Sequence, residues 1–389
     1  MKIAFVIPWY GNIPGGAEAE CKHTAENLQK NGVEVEVLTT CVKEFRSNWN
    51  SNYYKEGTYE VDGITVRRFK VRKRDNKVFD HINYKLMHDQ KISCKEEQEF
   101  LQEMVNSDNL YSYIKSHGNQ YDYFLFIPYM FGTTYYGSKI HPEKSILIPC
   151  LHNESYAYLD IYKPMFEKVK GIIFHSEQEK RLANKLYNIE NKQSILGEGI
   201  NTDFVYDANR FRNKYGIKDN FILYAGRKEI GKNVPLLIDF FCKYKNANSS
   251  NLKLVLIGSG SIVVPSGYEE DIIDLGFVPL QNKYDAYSAA TFLCQPSINE
   301  SFSIVIMEAW LCNVPVLVNA ECSVTKEHCI KSNGGLYFED YYEFSGCVDF
   351  FLRNHEIRKQ MGVNGMYYVL DNFSWDVIVQ KYIDFLGGL

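Results

Sequence analysis

Short apolar runs rich in β-branched residues alternate with amphipathic stretches along most of this sequence. This alternation is typical of parallel β-sheets covered by helices, because each connection between parallel strands has to cross over the sheet. The sequence therefore predicts an α/β protein. The runs expected to form strands are KIAFVIP, VEVEVLTT, ITVRRFKV, YFLFIP, SILIPCL and GIIFHS, followed by FILYAG, LKLVLIG, IIDLGFV, TFLCQPS, VPVLVN and GLYF.

The polar segment LGEGINTDFVYDANRFRNKYG separates the two sets of runs and shows little periodicity. We expect a hinge there, near 200–215. Each half begins with a strand that leads into a glycine-bearing loop, which predicts two doubly wound domains that face a cleft. The clearest expected helices span about 17–30, 234–244, 283–289, 303–312 and 342–352.

Composition narrows the class of protein. The chain has 43 Lys and Arg against 48 Asp and Glu, a net charge of -5, which disfavours nucleic acid as a partner. Its 10 cysteines form no C-x-x-C pair and mostly lie in apolar runs, as reduced buried thiols do in the cytoplasm. The opening apolar run breaks at Pro8 and is expected to be a strand rather than a signal peptide. No stretch reaches the roughly 18 apolar residues of a membrane span.

The strongest chemical signal is SINESFSIVIMEAW, in which Glu300 and Glu308 stand at the entry of an apolar helix. The eight steps from Glu300 to Glu308 correspond to about 12 Å along a helix. This is similar to the distance between the sugar and the ribose of a nucleotide-sugar, so each carboxylate could hold one of these two groups. Between them, the amides of Ser301, Phe302 and Ser303 are expected to open the helix and receive a diphosphate. The alternative is that Glu300 is a helix-terminal charge and that Glu308 is a buried side chain in need of a partner.

A second signal is AGRKEIGKN, which follows the first strand of the second half. Arg227 and Lys232 are expected at the carboxyl end of that strand, where doubly wound domains bind ligands. Two fixed cations there would stabilise a departing diphosphate in place of a metal ion. The alternative for Arg227 is ordinary solvated charge, which is what we expect of Lys228 and Glu229.

These segments resemble the retaining, metal-independent glycosyltransferases of family 4, which have the GT-B fold of two Rossmann-like domains. In the second half the resemblance rests on GRKEIGKN, LIGSGS, GFVPLQNKYDAYSAATFLCQPSINESFSIVIMEA, VPVLV, NGGLYF and FSW. In the first half it rests on PGGAE, LQKNGVEVEVLTT, CLHNE, FHSEQEKR and LGEGINTDFV. The order and spacing of these pieces, rather than any single one, make the resemblance specific.

The resemblance implies roles for individual residues. It implies that Arg227 and Lys232 grip the donor diphosphate, that Glu300 contacts the transferred sugar, and that Glu308 contacts the ribose. It also places a histidine, His152, beside the donor sugar. Further donor-binding positions that it implies are Gly15, Gly16, Gly258, Phe277, Val278, Ser301, Phe302 and Ser303.

Some features depart from the family or compete with it. Ser301 and Ser303 stand where many relatives have glycine, which puts the sugar contacts in question. For His152 the alternative is a structural histidine or helix cap, and His175 is expected to be structural. The G-S-G turn at Gly258 carries too few glycines for a dinucleotide fingerprint, so a dehydrogenase is a poor fit. No metal motif and no G-x-S-x-G elbow is present in the sequence.

Two local clusters are separate from these motifs. The first is a basic run, expected either to be a solvated edge strand or to meet anionic lipid headgroups or a lipid-linked diphosphate; it comprises Arg67, Arg68, Lys70, Arg72, Lys73, Arg74 and Lys77. The second is YDYFLFIPYMFGTTYYG. There Phe124 and Phe126 should pack in a core, whereas Tyr129, Phe131, Tyr135 and Tyr136 could stack on acceptor sugars.

The resemblance implies a cytoplasmic enzyme, with possible contact to the inner membrane face, that transfers a sugar from a UDP- or GDP-sugar to a glycan or lipid-linked acceptor without a cofactor. We expect residues 1–205 to form the acceptor domain, 206–372 the donor domain, and 373–389 a helix that crosses back to the first domain. The alternatives are a GT-B pseudoenzyme that binds nucleotide-sugar as a partner subunit and a sugar-nucleotide epimerase.

Overall fold

A computed structural model describes residues 1–13 and 15–389, so Pro14 of the PGGAE motif lies outside the described residues. The chain forms two compact units. Unit 1 comprises Met1–Gly199 and Ile378–Leu389, and unit 2 comprises Ile200–Val377. The assignment of acceptor to the first domain and donor to the second stays a prediction.

Unit 1 is built on an eight-stranded sheet with the order β3-β4-β2-β1-β5-β6-β7-β8, in which only the β3–β4 pair is antiparallel. Its strands are β1 (Lys2–Val6), β2 (Glu34–Thr40), β3 (Gly57–Val61), β4 (Ile64–Phe69), β5 (Tyr123–Phe126), β6 (Ser145–Leu147), β7 (Gly171–Phe174) and β8 (Lys192–Ile195). Its helices are α1 (Gly16–Lys30), α2 (Asn76–Met87), α3 (Cys94–Gln102), α4 (Asp108–His117), α5 (Gly132–Gly137), α6 (Lys163–Lys168) and α7 (Glu177–Leu186).

Unit 2 is built on a six-stranded sheet with the order β11-β10-β9-β12-β13-β14, in which every pair is parallel. Its strands are β9 (Phe221–Ala225), β10 (Lys253–Ile257), β11 (Ile272–Asp274), β12 (Phe292–Gln295), β13 (Val316–Asn319) and β14 (Gly335–Phe338). Its helices are α8 (Ala208–Tyr215), α9 (Val234–Ala247), α10 (Leu280–Ala289), α11 (Ile304–Leu311), α12 (Ser323–Ser332), α13 (Tyr341–Arg353) and α14 (His355–Phe373). Helix α15 (Trp375–Gly387) follows, and its residues from Ile378 onward belong to unit 1.

The predicted parallel α/β architecture is confirmed in both units. Each predicted apolar run contains a strand, and central strands such as β1 and β9 are almost completely buried. Strands β3 and β8 were not predicted. They are the outer strands of their sheet and are mostly exposed or half-buried, so they lack the apolar pattern that identifies a buried strand.

The segment expected to contain the hinge, 200–215, includes a helix that was not predicted, α8 (Ala208–Tyr215), and its role as a hinge stays a prediction. Asp207 caps the helix by accepting hydrogen bonds from the amides of Asn209 and Arg210. A single helical residue, Phe211, is buried, and Arg210 forms an ion pair with the buried Asp285. One apolar residue gives no detectable periodicity, which is why the helix was missed.

The basic run is not a solvated edge strand, because β3 covers the outer edge of β4. Arg67 lies 2.7 Å from Glu36, and Arg68 is 4% exposed and donates to the carbonyl of Tyr10 at 2.7 Å. Arg72 donates to Asp108 and to the carbonyl of Gln102. Three of the seven basic side chains are therefore paired or hydrogen-bonded inside unit 1, whereas Lys70, Lys73 and Lys77 are exposed.

The ten cysteines are all free thiols, and most are buried or half-buried. Across the described part of the chain, no helix combines the length and the apolar character that a bilayer crossing requires.

Glu36 joins β1, β2 and β4 through its buried carboxylate. It accepts from Arg67 and from Tyr121, and Lys2 lies 2.9 Å away. Burial alone would raise the pKa of Glu36, but its bonds to Arg67, Lys2 and Tyr121 lower the pKa to about 2. The ionised form therefore stabilises the folded state.

We predict that Glu36→Gln lowers the free energy of unfolding by about 2 kcal/mol at pH 7. Since the folded pKa is depressed, this stabilisation is complete above the unfolded pKa of about 4.3 and is lost as pH falls toward 2. Urea denaturation at pH 7 and pH 3 measures the difference. Glu34→Gln is the matched control, because Glu34 binds the same lysine from an exposed position. A pH-independent difference for Glu36→Gln would contradict the prediction.

Candidate active site

Lys232 and Glu300 meet at the carboxyl edge of the second sheet. Lys232 follows β9 and Glu300 follows β12, and these strands are parallel neighbours, so both loops leave the sheet at the same edge. The Nζ atom of Lys232 lies 2.7 Å from Oε1 of Glu300, with 24% and 11% of the two side chains exposed. Gln295 also donates to this oxygen at 3.3 Å. The two residues thus form a half-buried ion pair that solvent, and hence a ligand, can reach.

Arg227 lies on the same loop as Lys232 but is oriented differently. Its side chain is 57% exposed and its Nη2 lies 3.2 Å from Glu229. Its carbonyl accepts a hydrogen bond from the Tyr224 hydroxyl at 2.7 Å, which fixes the start of the loop. The structure therefore brings one of the two predicted cations to Glu300 and leaves the other at the surface.

The turn before α11 differs from the one expected. The helix begins at Ile304, so its first amides belong to Ile304 and Val305 rather than to residues 301–303. Ser303 has a left-handed backbone with φ of 79°, and its buried hydroxyl forms no hydrogen bond within the described residues. A left-handed serine is strained and an unpaired buried hydroxyl is costly, which is typical of a functional turn.

Ser301 and Phe302, which were expected to open the helix, precede it. Ser301 is half-buried in the turn. Phe302 is fully buried and packs edge-on against His328 and Phe373. We conclude that the Phe302 ring anchors the turn in the core, whereas a role of the Phe302 amide in donor binding stays a prediction.

Glu308 is 7% exposed and is held by two side chains of α10. Lys283 lies 2.7 Å from Oε1, and the Tyr287 hydroxyl donates to Oε2 at 2.9 Å. The expectation that Glu300 and Glu308 share one helix and are separated by its rise is wrong, because Glu300 lies in the loop that precedes α11. Neither Lys283 nor Tyr287 was predicted, since both lie on a different helix.

The loop after β10 approaches the loop after β9 so closely that Gly258 cannot carry a side chain. Its φ is 126°, and a Cβ there would lie 1.9 Å from the carbonyl oxygen of Gly226. Lys228 donates to the Gly258 carbonyl at 2.7 Å and lies 2.6 Å from Asp274. The expectation that Lys228 is solvated is therefore wrong, because its side chain is completely buried in this link.

Phe277 and Val278 follow β11 and have opposite exposures. Phe277 is 83% exposed, whereas Val278 is 8% exposed. An aromatic ring so exposed beside the ligand edge of a sheet can stack on a planar base. Its contact with a nucleotide base stays a prediction.

The predicted residues of unit 1 lie at two separate loops. Gly15 directly precedes α1, and Gly16 is its first residue. A Cβ on Gly15 would meet only the flexible Glu18 side chain, and one on Gly16 would meet nothing within 4 Å. His152 is half-buried in the segment after β6. Roles for these three residues in binding a donor stay predictions.

The aromatic residues proposed to stack on acceptor sugars are mostly core residues. Tyr129, Phe131 and Tyr135 are 1%, 4% and 8% exposed, so that expectation is wrong for them. Tyr136 is half-buried. The strand that ends at Phe126 is short, and the apolar run continues past it into the core.

His175 lies at the centre of a buried charged cluster in unit 1. Its Nε2 lies 2.5 Å from Glu20 on α1, and its Nδ1 lies 3.5 Å from Glu179 on α7. Cys150 contacts Glu20 at 3.7 Å, and Tyr382 of α15 faces the same carboxylate. Burial lowers the pKa of His175, but the two carboxylates outweigh it and raise the pKa well above 6.5.

This cluster also contains the one group of metal-ligand type found among residues 1–13 and 15–389, formed by Glu20, Cys150 and His175. A metal would need the Cys150 thiolate. Burial and the neighbouring Glu20 raise the pKa of that thiol well above 9, so the thiol keeps its proton. The set therefore fits a protonated imidazole between carboxylates better than a metal ion.

Comparison with known proteins agrees with this geometry. Residues 206–366 match the family model of glycosyl transferases group 1, so unit 2 carries a domain of that family. An uncharacterized glycosyltransferase of Methanocaldococcus jannaschii is 24% identical over 99% of this chain and 97% of its own length. A Campylobacter jejuni enzyme, N-acetylgalactosamine-N,N'-diacetylbacillosaminyl-diphospho-undecaprenol 4-alpha-N-acetylgalactosaminyltransferase, is 32% identical over 28% of this chain and 31% of its own length.

Among solved structures, Anabaena HepE in complex with UDP has the same fold, with a TM-score of 0.73 and 14% identity over 100% of both chains. The predicted GT-B fold is thereby confirmed.

We predict that His175→Asn destabilises the protein by roughly 3 kcal/mol at pH 6, because it leaves two buried carboxylates without a cation. Since the folded pKa is raised, the stabilisation from the charge is complete below the unfolded pKa of about 6.5 and is lost as pH rises through the folded value. The difference in melting temperature between wild type and variant should therefore shrink from pH 6 to pH 9.

His328 is the control with the opposite sign. Burial lowers its pKa to about 3, so its neutral form is stabilising and that stability is lost as pH falls below about 6.5. His328→Asn should remove part of the acid destabilisation. Parallel pH profiles for the two variants would contradict both assignments.

Proposed function

We propose that this chain, whose residues 206–366 form a group 1 glycosyltransferase domain, is a retaining, metal-independent glycosyltransferase. It would transfer a hexose from a nucleoside-diphosphate sugar to a hydroxyl group of a glycan or lipid-linked acceptor. The observation that carries the proposal is the Lys232–Glu300 pair beside the N-terminus of α11.

The chemistry of transfer requires positive charge near the leaving diphosphate. The Lys232 ammonium group has three donors, so it can hold Glu300 with one and phosphate oxygens with the others. The exposed Arg227 can turn toward the same diphosphate, and the amides of Ile304 and Val305 add the positive end of the helix dipole. The unpaired Ser303 hydroxyl is a further donor at this turn.

The donor sugar and ribose would be held by the two carboxylates. Glu300 stands in the loop before α11, where it would accept hydrogen bonds from the hydroxyls of the transferred sugar. Glu308, oriented by Lys283 and Tyr287, would accept from the ribose. Phe277 would stack on the base. HepE is named as a complex with UDP, which supports a UDP-sugar among the candidate donors.

No protein nucleophile is assigned. In the family that the sequence resembles, the acceptor approaches the face of the donor sugar from which the phosphate leaves, and that phosphate assists deprotonation of the acceptor. Because both groups use the same face, the anomeric configuration is preserved. His152 and the loop at Gly15 and Gly16 would contribute from unit 1. The proposed location is the cytoplasm, which is supported by ten free thiols.

The acceptor is proposed to be a glycan or a lipid-linked glycan. The Campylobacter relative is named for transfer to a diphospho-undecaprenol acceptor, and its matched region is 32% identical. This likeness supports a lipid-linked acceptor as the first substrate to test.

The deciding experiment is calorimetry of the full chain with UDP-, GDP- and ADP-sugars in EDTA, followed by turnover assays with NMR of the product anomer. Binding of one donor class and retention of configuration in EDTA would support the proposal. Donor binding without transfer to any acceptor would favour the partner-subunit alternative. An altered nucleotide-sugar formed without acceptor would favour an epimerase, and a requirement for divalent metal would contradict metal independence.

We predict that Lys232→Gln and Glu300→Gln each lower kcat roughly 10²–10³-fold, because each removes charge from the reacting diphosphate and sugar. Lys243→Gln is the matched control: it removes one lysine charge from an exposed pair on α9. All three variants should keep the wild-type circular dichroism spectrum. Wild-type kcat in either site variant would contradict the site assignment.

We predict that Tyr287→Phe raises the KM for the donor roughly fivefold to tenfold and changes kcat less. It removes one of two hydrogen bonds that orient Glu308, which acts on the ribose rather than on the reacting atoms. Tyr284→Phe is the control on the same helix, since the Tyr284 ring stacks on Phe204 while Lys283 and Tyr287 hydrogen-bond to Glu308. An equal change in KM for both variants would contradict the role of Tyr287.

A further inference from the structure

An aromatic cluster lies at the carboxyl edge of the first sheet. Trp9 follows β1, Phe45 and Trp49 follow β2, and Phe131 follows β5. The Trp9 ring centroid lies 5.8 Å from Phe45, 5.7 Å from Trp49 and 5.0 Å from Phe131. Phe79 of α2 adds a contact of 5.5 Å with Trp49. Segments that follow adjacent parallel strands thus converge at the edge where sheets of this kind bind ligands.

Arg74, which follows β4, places a guanidinium group against this cluster. Its carbon atom Cζ lies 4.8 Å from the ring centroid of Trp49 and 4.2 Å from that of Phe79. The backbone of Arg74 is fixed by the Asn50 side chain, which accepts from its amide at 2.8 Å and donates to its carbonyl at 3.1 Å. The guanidinium group therefore packs against two neighbouring rings, while the Asn50 side chain fixes the backbone behind it.

The Nε–H group of Arg74 is buried and has no hydrogen-bond partner among the residues that the structure describes, 1–13 and 15–389. In contrast, Arg67, Arg68 and Arg72 of the same basic run all donate to oxygen atoms of the protein. A half-buried guanidinium with an unpaired buried N–H carries a desolvation cost that an anionic ligand would offset.

A pocket of about 210 Å³ opens beside this group. We call it the Arg74 pocket; its lining includes Phe45, Trp49, Arg74, Asn76 and Phe79. The volume is below the roughly 300–1,000 Å³ of pockets that enclose a whole drug-sized ligand. It suits one phosphate group with part of the attached molecule rather than a nucleotide-sugar.

The charges that face the pocket favour one phosphate over a more extended anion. Asp80 lines the pocket with an exposed carboxylate, and Glu103 also acts on Arg74 through its charge. Glu103 accepts from the Asp75 amide rather than from Arg74. A ligand with a single phosphate beside Arg74 and neutral atoms beside Asp80 avoids repulsion from that carboxylate. Asn76 accepts from Asn50 through Oδ1, which leaves its amide hydrogens for the ligand.

We propose that the Arg74 pocket binds a phosphate group esterified to a sugar or lipid, with the Arg74 fork on its oxygens and the rings of Phe45 and Trp49 against the neighbouring sugar or chain. Arginine suits this task because its planar donors match two phosphate oxygens at once. Naming this ligand as the acceptor rests on the proposed function. Binding of the phosphate itself does not.

The test measures binding of two probes to the full chain by calorimetry. The first probe is glucose 1-phosphate, and the second is a phosphatidylcholine vesicle that contains a polyprenyl phosphate, with a plain phosphatidylcholine vesicle as its blank. The wild type should bind at least one probe. Arg74→Gln should weaken that binding roughly tenfold to a hundredfold, because a charge-assisted bond to a half-buried group is lost.

Two further variants separate shape from charge. Arg74→Lys keeps the positive charge without the planar fork and should recover only part of the affinity. Lys77→Gln removes one exposed positive charge near the pocket without changing its lining, and should bind as the wild type does. Circular dichroism establishes that each variant is folded.

Each outcome decides the proposal. Binding of glucose 1-phosphate alone assigns the site to a soluble sugar phosphate, and binding of the vesicle alone assigns it to a lipid-linked one. The proposal would be overturned if Arg74→Gln bound a probe as tightly as the wild type does. It would also be overturned if the wild type bound neither probe. Nucleotide-sugar binding, measured on the same variants, tests the proposed function separately. A wild-type chain that binds a phosphate probe but no nucleotide-sugar would contradict the proposed function, whereas the assignment of the Arg74 pocket would still hold.

Discussion

Parallel strand order is the constraint on which the candidate sites depend. Because neighbouring strands run in the same direction, the loops that follow them leave the sheet at one edge, however far apart they are in sequence. Lys232 and Glu300 are separated by 68 residues and still form an ion pair, since β9 and β12 are adjacent. In unit 1 the same rule gathers Trp9, Trp49 and Arg74 from the ends of three strands. Strand order, rather than spacing in the sequence, therefore determines which side chains meet.

Burial of charge is the second organising force, since an ionised group inside a protein needs a partner. The partners usually come from another element: Glu308 of α11 is bound by α10, and His175 lies between α1 and α7. Lys228 joins the end of β10 to Asp274 at the end of β11. Such links fix the loops around each site, so the residues proposed to touch a ligand are held by residues that do not touch it.

Prediction from the sequence succeeded where local pattern alone determines structure. Buried strands such as β1 and β9 are apolar throughout, so their runs identified both sheets. Prediction failed where contacts between residues distant in sequence determine the structure. The exposed strand β3 carries no apolar pattern, and helix α8 depends on a cap at Asp207 and an ion pair with Asp285. The two candidate site loops of unit 2 were located, but not their conformation.

The Lys232–Glu300 pair has a consequence for the charge balance of the proposed reaction. A diphosphate brings several negative charges, while this pair is neutral as a unit and Glu229 offsets part of the charge on Arg227. The side chains alone therefore supply little net positive charge. Unless Arg227 turns from Glu229 to the diphosphate, the remaining stabilisation would come from groups that no carboxylate engages: the positive end of the helix dipole at the start of α11 and the hydrogen-bond donor of Ser303. The strained turn at Ser303 would thus contribute to the proposed chemistry together with the charged residues that the sequence makes conspicuous.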